Sequence, residues 1–298
     1  MLDEIDFITP FKTIGVIGTG LMGGSFAKAI KANIKYVKVI GYDVSERALS
    51  DALVHKCIDE PAKDLEDIAR KSDLLVLATP VRTYENILMT IPKDVWKNTF
   101  LTDLGSVKSH PNHLVKKILP ENTKYVGGHP MAGSEKCGCE NSSEYLFNNN
   151  VFYLTSDQAD WIKPVRQLVE KIGAVVKEVD VEDHDRIVSV SSHVPHVAAS
   201  LLVQLLHEDI NISETGGGYQ DTTRIAGSDP VMWTDIFLSN KNELLKSLSQ
   251  FQKGLEDFID IIQKEDEQDL FDLLKQTRQK RLFGGEENNG DINGHKAV

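Results

Sequence analysis

The stretch TIGVIGTGLMGGSFAKAI, Thr13 to Ile30, decides how the rest of the chain is read. It opens as a short β-branched apolar run of strand length and closes with apolar residues at helical spacing. At the junction Gly18, Gly20 and Gly23 fall in G-x-G-x-x-G spacing. The first glycine of such a junction permits a tight turn, the second lets the backbone approach a pyrophosphate, and the third lets helix and strand pack closely. The helix N-terminus adds free N–H groups and the positive end of its dipole. Twenty residues after Gly23, Asp43 ends a second strand-like run, VIGYD. A carboxylate there accepts hydrogen bonds from both adenosine ribose hydroxyls and repels a 2′-phosphate. A bare glycine turn followed by a helix-capping aspartate would use the same residue types, but strand, glycine spacing, helix and acid together indicate an NAD site.

Outward from this junction the first half alternates β-branched runs with helical stretches: KVIGYDV, SDLLVLAT, TFLTDLG, KYVGGHP, VFYLT and AVVKEVD. That alternation predicts an α/β domain, a Rossmann-type doubly wound parallel sheet covered by helices. After Asp180 the strand signal stops, and from DHDRIVSVSSHVPHVAASLLVQLL nearly to Phe283 the apolar spacing is helical. The expected organisation is an NAD-binding domain over residues 1–181, an all-helical domain over 182–284, and a polar Gly/Asn-rich tail, 285–298, that reads as disordered.

Composition excludes several classes. The formal net charge of -12 and the lack of a Lys/Arg-rich run argue against nucleic-acid binding. The longest apolar run, around LLVLATPV, is too short to span a bilayer, and the acidic N-terminus does not read as a secretory signal. Three cysteines, Cys57, Cys137 and Cys139, form no disulfide framework and no metal-site spacing, so the expectation is a cytoplasmic protein without a bound metal.

Three further constellations carry chemistry. TDLGSVKS, Thr102 to Ser109, lies at the C-terminal end of the fourth predicted strand, where residues face the ligand crevice. Ser106 and Lys108 are candidates there, and Ser106 reads equally as the cap of the next helix. GGHPMAGSEKCG, Gly127 to Gly138, places His129 after the fifth predicted strand, with Ser134 and Glu135 behind it. An imidazole suits proton transfer near neutral pH, and a nearby hydroxyl can orient it; the alternative is a histidine held in a turn before Pro130. In GGGYQDTTRIAGSDPVMWTDIFLSNK, Arg224 is either a carboxylate fork or the ion-pair partner of Asp221 three residues earlier. His193 and His196 flank Pro195 and suit a pocket on a kinked helix better than a metal, with core or capping histidines as the equal alternative.

Taken in order, GVIGTGLMGGS, ATP, TDLGSVK, GGHPMAGSEKCG, SSHVPHVAA and DTTRIAGSDPVMWTDIFLSNK resemble the prephenate dehydrogenase family of tyrosine biosynthesis in its bacterial form, from about residue 13 to 283. The resemblance implies a Rossmann domain, a helical dimerisation domain and a homodimer. It implies NAD-dependent oxidative decarboxylation of prephenate to 4-hydroxyphenylpyruvate, with arogenate dehydrogenation or a non-catalytic NAD sensor as alternatives. By the same likeness His129 is the catalytic histidine, Ser106 the serine that orients it, and Arg224 the binder of a substrate carboxylate. His196, Glu135 and Ser134 line the pocket, while Leu21, Met22, Thr79 and Pro80 join Gly18, Gly20, Gly23 and Asp43 at the cofactor. Gln220, neutral where an arogenate site would carry an acid, is expected to donate to the keto oxygen of prephenate. The chain as read carries no chorismate-mutase region and no regulatory extension after Phe283, so any tyrosine feedback is expected at the cleft.

Overall fold

The computed structural model describes residues 9–133, 136–207 and 210–283. Among them eight strands form one sheet: β1 (Thr13–Ile17), β2 (Lys38–Tyr42), β3 (Glu60–Pro61), β4 (Leu74–Leu77), β5 (Phe100–Asp103), β6 (Tyr125–Pro130), β7 (Val151–Thr155) and β8 (Val175–Glu178). Their order is β3-β2-β1-β4-β5-β6-β7-β8. The strands β1 to β6 are parallel and joined by α1 (Leu21–Asn33), α2 (Glu46–Val54), α3 (Leu65–Lys71), α4 (Tyr84–Thr90) and α5 (Ser109–Ile118). Strand order reverses direction between neighbours β1 and β4, which opens a crevice at the carboxyl edge.

The apolar runs are continuous because both faces of each central strand are covered. Ile14 and Val16 of β1 join Leu74 and Val76 of β4 in a core with Phe26 and Ile30 of α1. The alternate residues Ile17, Leu75 and Leu77 turn to the other face with Tyr84, Trp96 and Leu114. Each such buried side chain contributes about 1.5–3 kcal/mol.

The parallel sheet that the alternation predicts is present, with one antiparallel pairing at its far edge. β7 runs antiparallel to β6, with His129 opposite Tyr153, and β8 is parallel to β7 through α6 (Ala159–Lys171). Between β6 and β7 the described residues contain only a 3-10 turn, Cys139–Asn141. With no crossover helix to carry it back, the chain re-enters the sheet from the edge at which it left. The two-residue β3, containing Pro61, escaped the sequence pattern because it holds no alternating or β-branched run.

From Val181 the chain is helical. α7 (Val181–Val188) passes through a π turn, Ser189–His193, into α8 (Val194–Leu205). Pro195 sits in the first turn of α8, and the wider turn precedes it, where a proline without an N–H would otherwise break the ladder. The run Val181–Leu205 is long and apolar enough to cross a membrane. Its buried face nevertheless carries His184, Asp185, Ser189 and His193, and Asp185 accepts bonds from α5, as in a core helix. α9 (Gly217–Thr223) and α10 (Pro230–Ser239) follow, then α11 (Lys241–Gln263) and α12 (Glu267–Phe283). The chain forms two compact units, Met1–Leu245 and Lys246–Val298. In the second, Phe251, Leu255, Ile259 and Ile262 are exposed at the spacing of one helix face.

Candidate active site

The glycine loop is built as its spacing predicts. Gly18 has φ +93°, and a Cβ there would lie 2.7 Å from the Ala78 carbonyl oxygen. A Cβ on Gly23 would lie 2.0 Å from Gly18 O, so only glycine lets α1 start this close to β1. Above Gly20 the space is open, and the N-terminus of α1 has no side-chain cap. Its N–H groups therefore suit a phosphate bridge. Asp43 accepts from Thr19 N–H (2.9 Å) and Ser45 N–H (3.0 Å), which fixes its carboxylate beside the loop. Leu21 and Met22 are half-buried in the first turn of α1. Thr79 follows β4, bonded to Thr83 at 2.8 Å, and Pro80 is exposed beside it. The donor set fits a dinucleotide.

At the ends of β5 and β6 lies a buried polar cluster that sequence reading missed. Asp103 is fully buried and paired with the fully buried Lys108 ammonium. Lys108 Nζ also donates to Gly128 O (2.6 Å), and Asp103 accepts from Gly128 N–H (3.2 Å), so the pair holds both sides of the residue before His129. Tyr125 OH donates to Asp103 at 2.8 Å, and Tyr84 OH lies 3.4 Å from the same carboxylate. Burial pulls the Lys108 ammonium below its ordinary value, against the opposing pull of Asp103. Lys108 is thus a structural cation beneath the site and does not face cofactor or substrate.

His129 is the last residue but one of β6 and is buried. Its Nδ1 lies 2.8 Å from Nε2 of His184, whose Nδ1 lies 2.7 Å from Asp185 Oδ1. Asp185 also accepts from Lys108 N–H (2.7 Å) and Ser109 N–H (2.9 Å), capping α5 from another element. The alternative reading of Ser106 as that cap is therefore corrected. The ring of Tyr153 stands edge-on to His184. Burial, followed by His184, Lys108 and His193, pushes the His129 imidazole well below its ordinary value. The hydrogen bond that orients His129 comes from His184, and the half-buried Ser106 makes none to it. An unprotonated imidazole at the carboxyl edge of the sheet is equipped to accept a proton. His184 and Asp185 were legible only as part of DHDRIV, with nothing to mark a tertiary partner 55 residues away.

On the helical side, His196 is buried, stacked at 3.6 Å on Trp233, and its Nδ1 and the Trp233 Nε1 have no partner among the described residues. His193 bonds Asn240 at 3.3 Å, and burial brings it down to about 4. Arg224 opens a 3-10 turn that packs on α8. It is exposed and makes no ion pair with Asp221, which removes the intrahelical reading of that spacing and leaves the guanidinium available. Gln220 is corrected. Its amide nitrogen donates to Ile212 O (3.3 Å) and Thr215 O (2.9 Å), because the loop before α9 turns back over it. The expected roles of Ser134 and Glu135 fall on residues outside those described.

Family models match the chain in two consecutive parts: the prephenate dehydrogenase nucleotide-binding domain over residues 26–178 and the prephenate dehydrogenase dimerization domain over 180–276. The prephenate dehydrogenase of Bacillus subtilis is 34% identical across 90% of this chain and 75% of its own length. The cyclohexadienyl dehydrogenase of Zymomonas mobilis is 32% identical across 92% and 97%. Among solved structures, prephenate dehydrogenase from Aquifex aeolicus in complex with hydroxyphenyl propionate and NAD+ superposes with a TM-score of 0.81 at 34% identity, covering 91% of this chain and 97% of that one.

Proposed function

The chain belongs to the prephenate dehydrogenase family, and from that membership we infer that it catalyses the NAD-dependent oxidative decarboxylation of prephenate to 4-hydroxyphenylpyruvate. The observation that carries the site assignment is the buried His129, held neutral at the carboxyl edge of β6. His129 takes the proton of the substrate's 4-hydroxyl. Electron density pushed onto C4 favours departure of its hydride, the bond from C1 to the carboxylate breaks, and that electron pair completes the aromatic ring. The phenolate oxygen then recovers the proton. NAD+, when bound, supplies the hydride acceptor. Gly18, Gly20, Gly23, Leu21 and Met22 would hold its pyrophosphate, Asp43 its ribose, and Thr79 and Pro80 would border it. A protonated His129 would favour loss of the 4-hydroxyl instead, so the low proton affinity of the ring serves product choice.

Arg224 pairs with a substrate carboxylate, Ser106 with the substrate beside His129, and His196 and Trp233 offer their unpartnered ring nitrogens to the pocket. By the family likeness, Ser134 and Glu135 are proposed as further substrate contacts. We propose the domain boundary near residue 181, a reading supported by family matches that end at 178 and begin at 180. The enzyme works in the cytoplasm as a homodimer, for which Leu201, Leu202 and Leu205 on α8 offer one exposed apolar face. NADH formation from prephenate tests the activity, with arogenate as the competing substrate and NADP+ as the competing cofactor. Asp43 supports NAD+, and the exposed Arg47 four residues on, 3.7 Å from Asp51, is the group that would favour NADP+. Equal kcat/KM with both cofactors would remove Asp43 as the discriminator.

A further inference from the structure

We propose that His184 and Asp185 are positioning residues that set the tautomer of His129 and then receive its charge, making a two-imidazole proton relay beneath the substrate. This rests on the reading of His129 as the base. The donor and acceptor inventory forces the assignment step by step. Asp185 accepts from Lys108 N–H, Ser109 N–H and His184; burial opposes its ionisation, but these bonds prevail and hold its carboxyl below the usual range. An ionised carboxylate only accepts, so His184 Nδ1 carries a hydrogen. Burial keeps His184 neutral against the pull of Asp185, which leaves a lone pair on its Nε2. That atom lies 2.8 Å from His129 Nδ1, which must therefore be the N–H of the neutral His129 ring. The lone pair of His129 falls on Nε2, the nitrogen left for substrate.

The same contact serves the charged state. When His129 Nε2 takes the hydroxyl proton, its Nδ1–H bond breaks and a new N–H bond forms on His184 Nε2. His129 is neutral again as the Nε2–H tautomer, and the imidazolium is His184, against Asp185. The charged group facing His129 is Lys108, unfavourable to a cation, beside the titratable imidazoles His184 and His193, which are neutral at rest. Those facing His184 include the carboxylates Asp185 and Asp103 besides Lys108, with the uncharged Tyr153 ring alongside. Charge is thus better placed one ring deeper. The reverse shift returns the proton to the phenolate oxygen of the product.

His184→Gln separates the two roles, because its carbonyl oxygen accepts from His129 Nδ1–H but takes no proton. The relay expects this variant to keep the Nδ1–H signature of His129 in nitrogen-resolved NMR and to bind NAD+ as wild type does. Its kcat should fall by about tenfold or more, and the acid limb of kcat/KM should move to lower pH as the base loses its carboxylate-supported partner. His184→Ala should also switch His129 to the Nε2–H tautomer, with kcat falling by roughly 10²–10⁴. Wild-type rate and pH profile in His184→Gln, or an Nε2–H tautomer in the resting wild type, would overturn the relay. His129→Asn, measured alongside, keeps this apart from the base assignment. Full turnover there sinks the base itself, whereas a dead His129→Asn beside an unaffected His184→Gln sinks only the relay.

Discussion

The sheet side and the helical side of the site are built on opposite terms. At the ends of β5 and β6, Asp103, Lys108 and His129 are buried and bonded to one another, to backbone, or to the buried His184 and Asp185 that α7 brings against the sheet. On the helical side Arg224 and Asp221 are exposed and form no ion pair with each other, and His196 and Trp233 bury ring nitrogens that meet no partner among the described residues. Buried polar groups are ordinarily satisfied. The contrast teaches that folding itself assembles the base, whereas the groups meant for substrate are completed by what binds. Proton transfer depends on sub-ångström placement and gains from a rigid shell, while carboxylate capture tolerates an exposed guanidinium.

The sharpest way to break the contrast is Lys108→Met. It leaves the Asp103 carboxylate buried without a cation, for an expected stability loss of about 3–5 kcal/mol. Thermal unfolding reads this directly, and pairing it with Asp103→Asn should recover a large part of the loss. A single variant that melts within a degree or two of wild type would mean that this pair does not hold the sheet side together.

His129→Asn tests the same side in catalysis. The amide cannot act as base, so kcat should fall roughly 10²–10⁴-fold with NAD+ affinity and melting temperature kept. In the wild type the depressed proton affinity of His129 means the ring stays neutral well below the ordinary imidazole value near 6.5. The fall of kcat/KM on acidification therefore begins below about pH 6.5. A limb above that value would assign it to another group.

How much of this was readable beforehand follows the same division. The glycine loop and Asp43 were legible because their function lies in local backbone shape, where spacing of three to twenty residues carries the physics. His129 stood out by its place near the end of a predicted strand, and the structure puts it inside β6, one residue before the strand ends. Its support was not, because Asp103, Lys108, His184 and Asp185 converge through tertiary packing, and a lysine in SVKS gives no sign in sequence that it will be fully buried. The antiparallel β7 was missed for a related reason, since strand composition fixes a strand and not its direction. Gln220 was read as a side chain facing a ligand, and nothing in GGGYQD signalled that its amide donates to Ile212 O and Thr215 O in the loop before it.

Arg224→Ala probes the open side. Removing one charged hydrogen-bonding group is worth about 1.5–3 kcal/mol, so KM for prephenate should rise roughly 10- to 150-fold with kcat and stability little changed. Arg224 is exposed, so the fold has little to lose. An unfolded variant, or one with unchanged KM, would move Arg224 out of the substrate site and leave the helical side without its anion receptor.

The smallest effect is expected at Gln220. Both of its amide N–H directions are engaged, at 3.3 Å by Ile212 O and 2.9 Å by Thr215 O, and the side chain is exposed. Gln220→Glu replaces that donor with an acceptor facing two carbonyl oxygens, so the local turn loosens by roughly 1 kcal/mol, the value of an ordinary exchanged hydrogen bond. The carboxylate is then free to swing into water, where its field is screened over about 10 Å at ordinary salt. The ratio of kcat/KM for prephenate to that for arogenate should accordingly change less than about twofold, while a fall in melting temperature of a few degrees reports the lost loop contacts. A large shift toward arogenate would show that the loop opens during turnover and that this residue meets the substrate side chain after all. It would also extend the preorganised part of the site across to the helical side, and the contrast between the two halves would no longer hold.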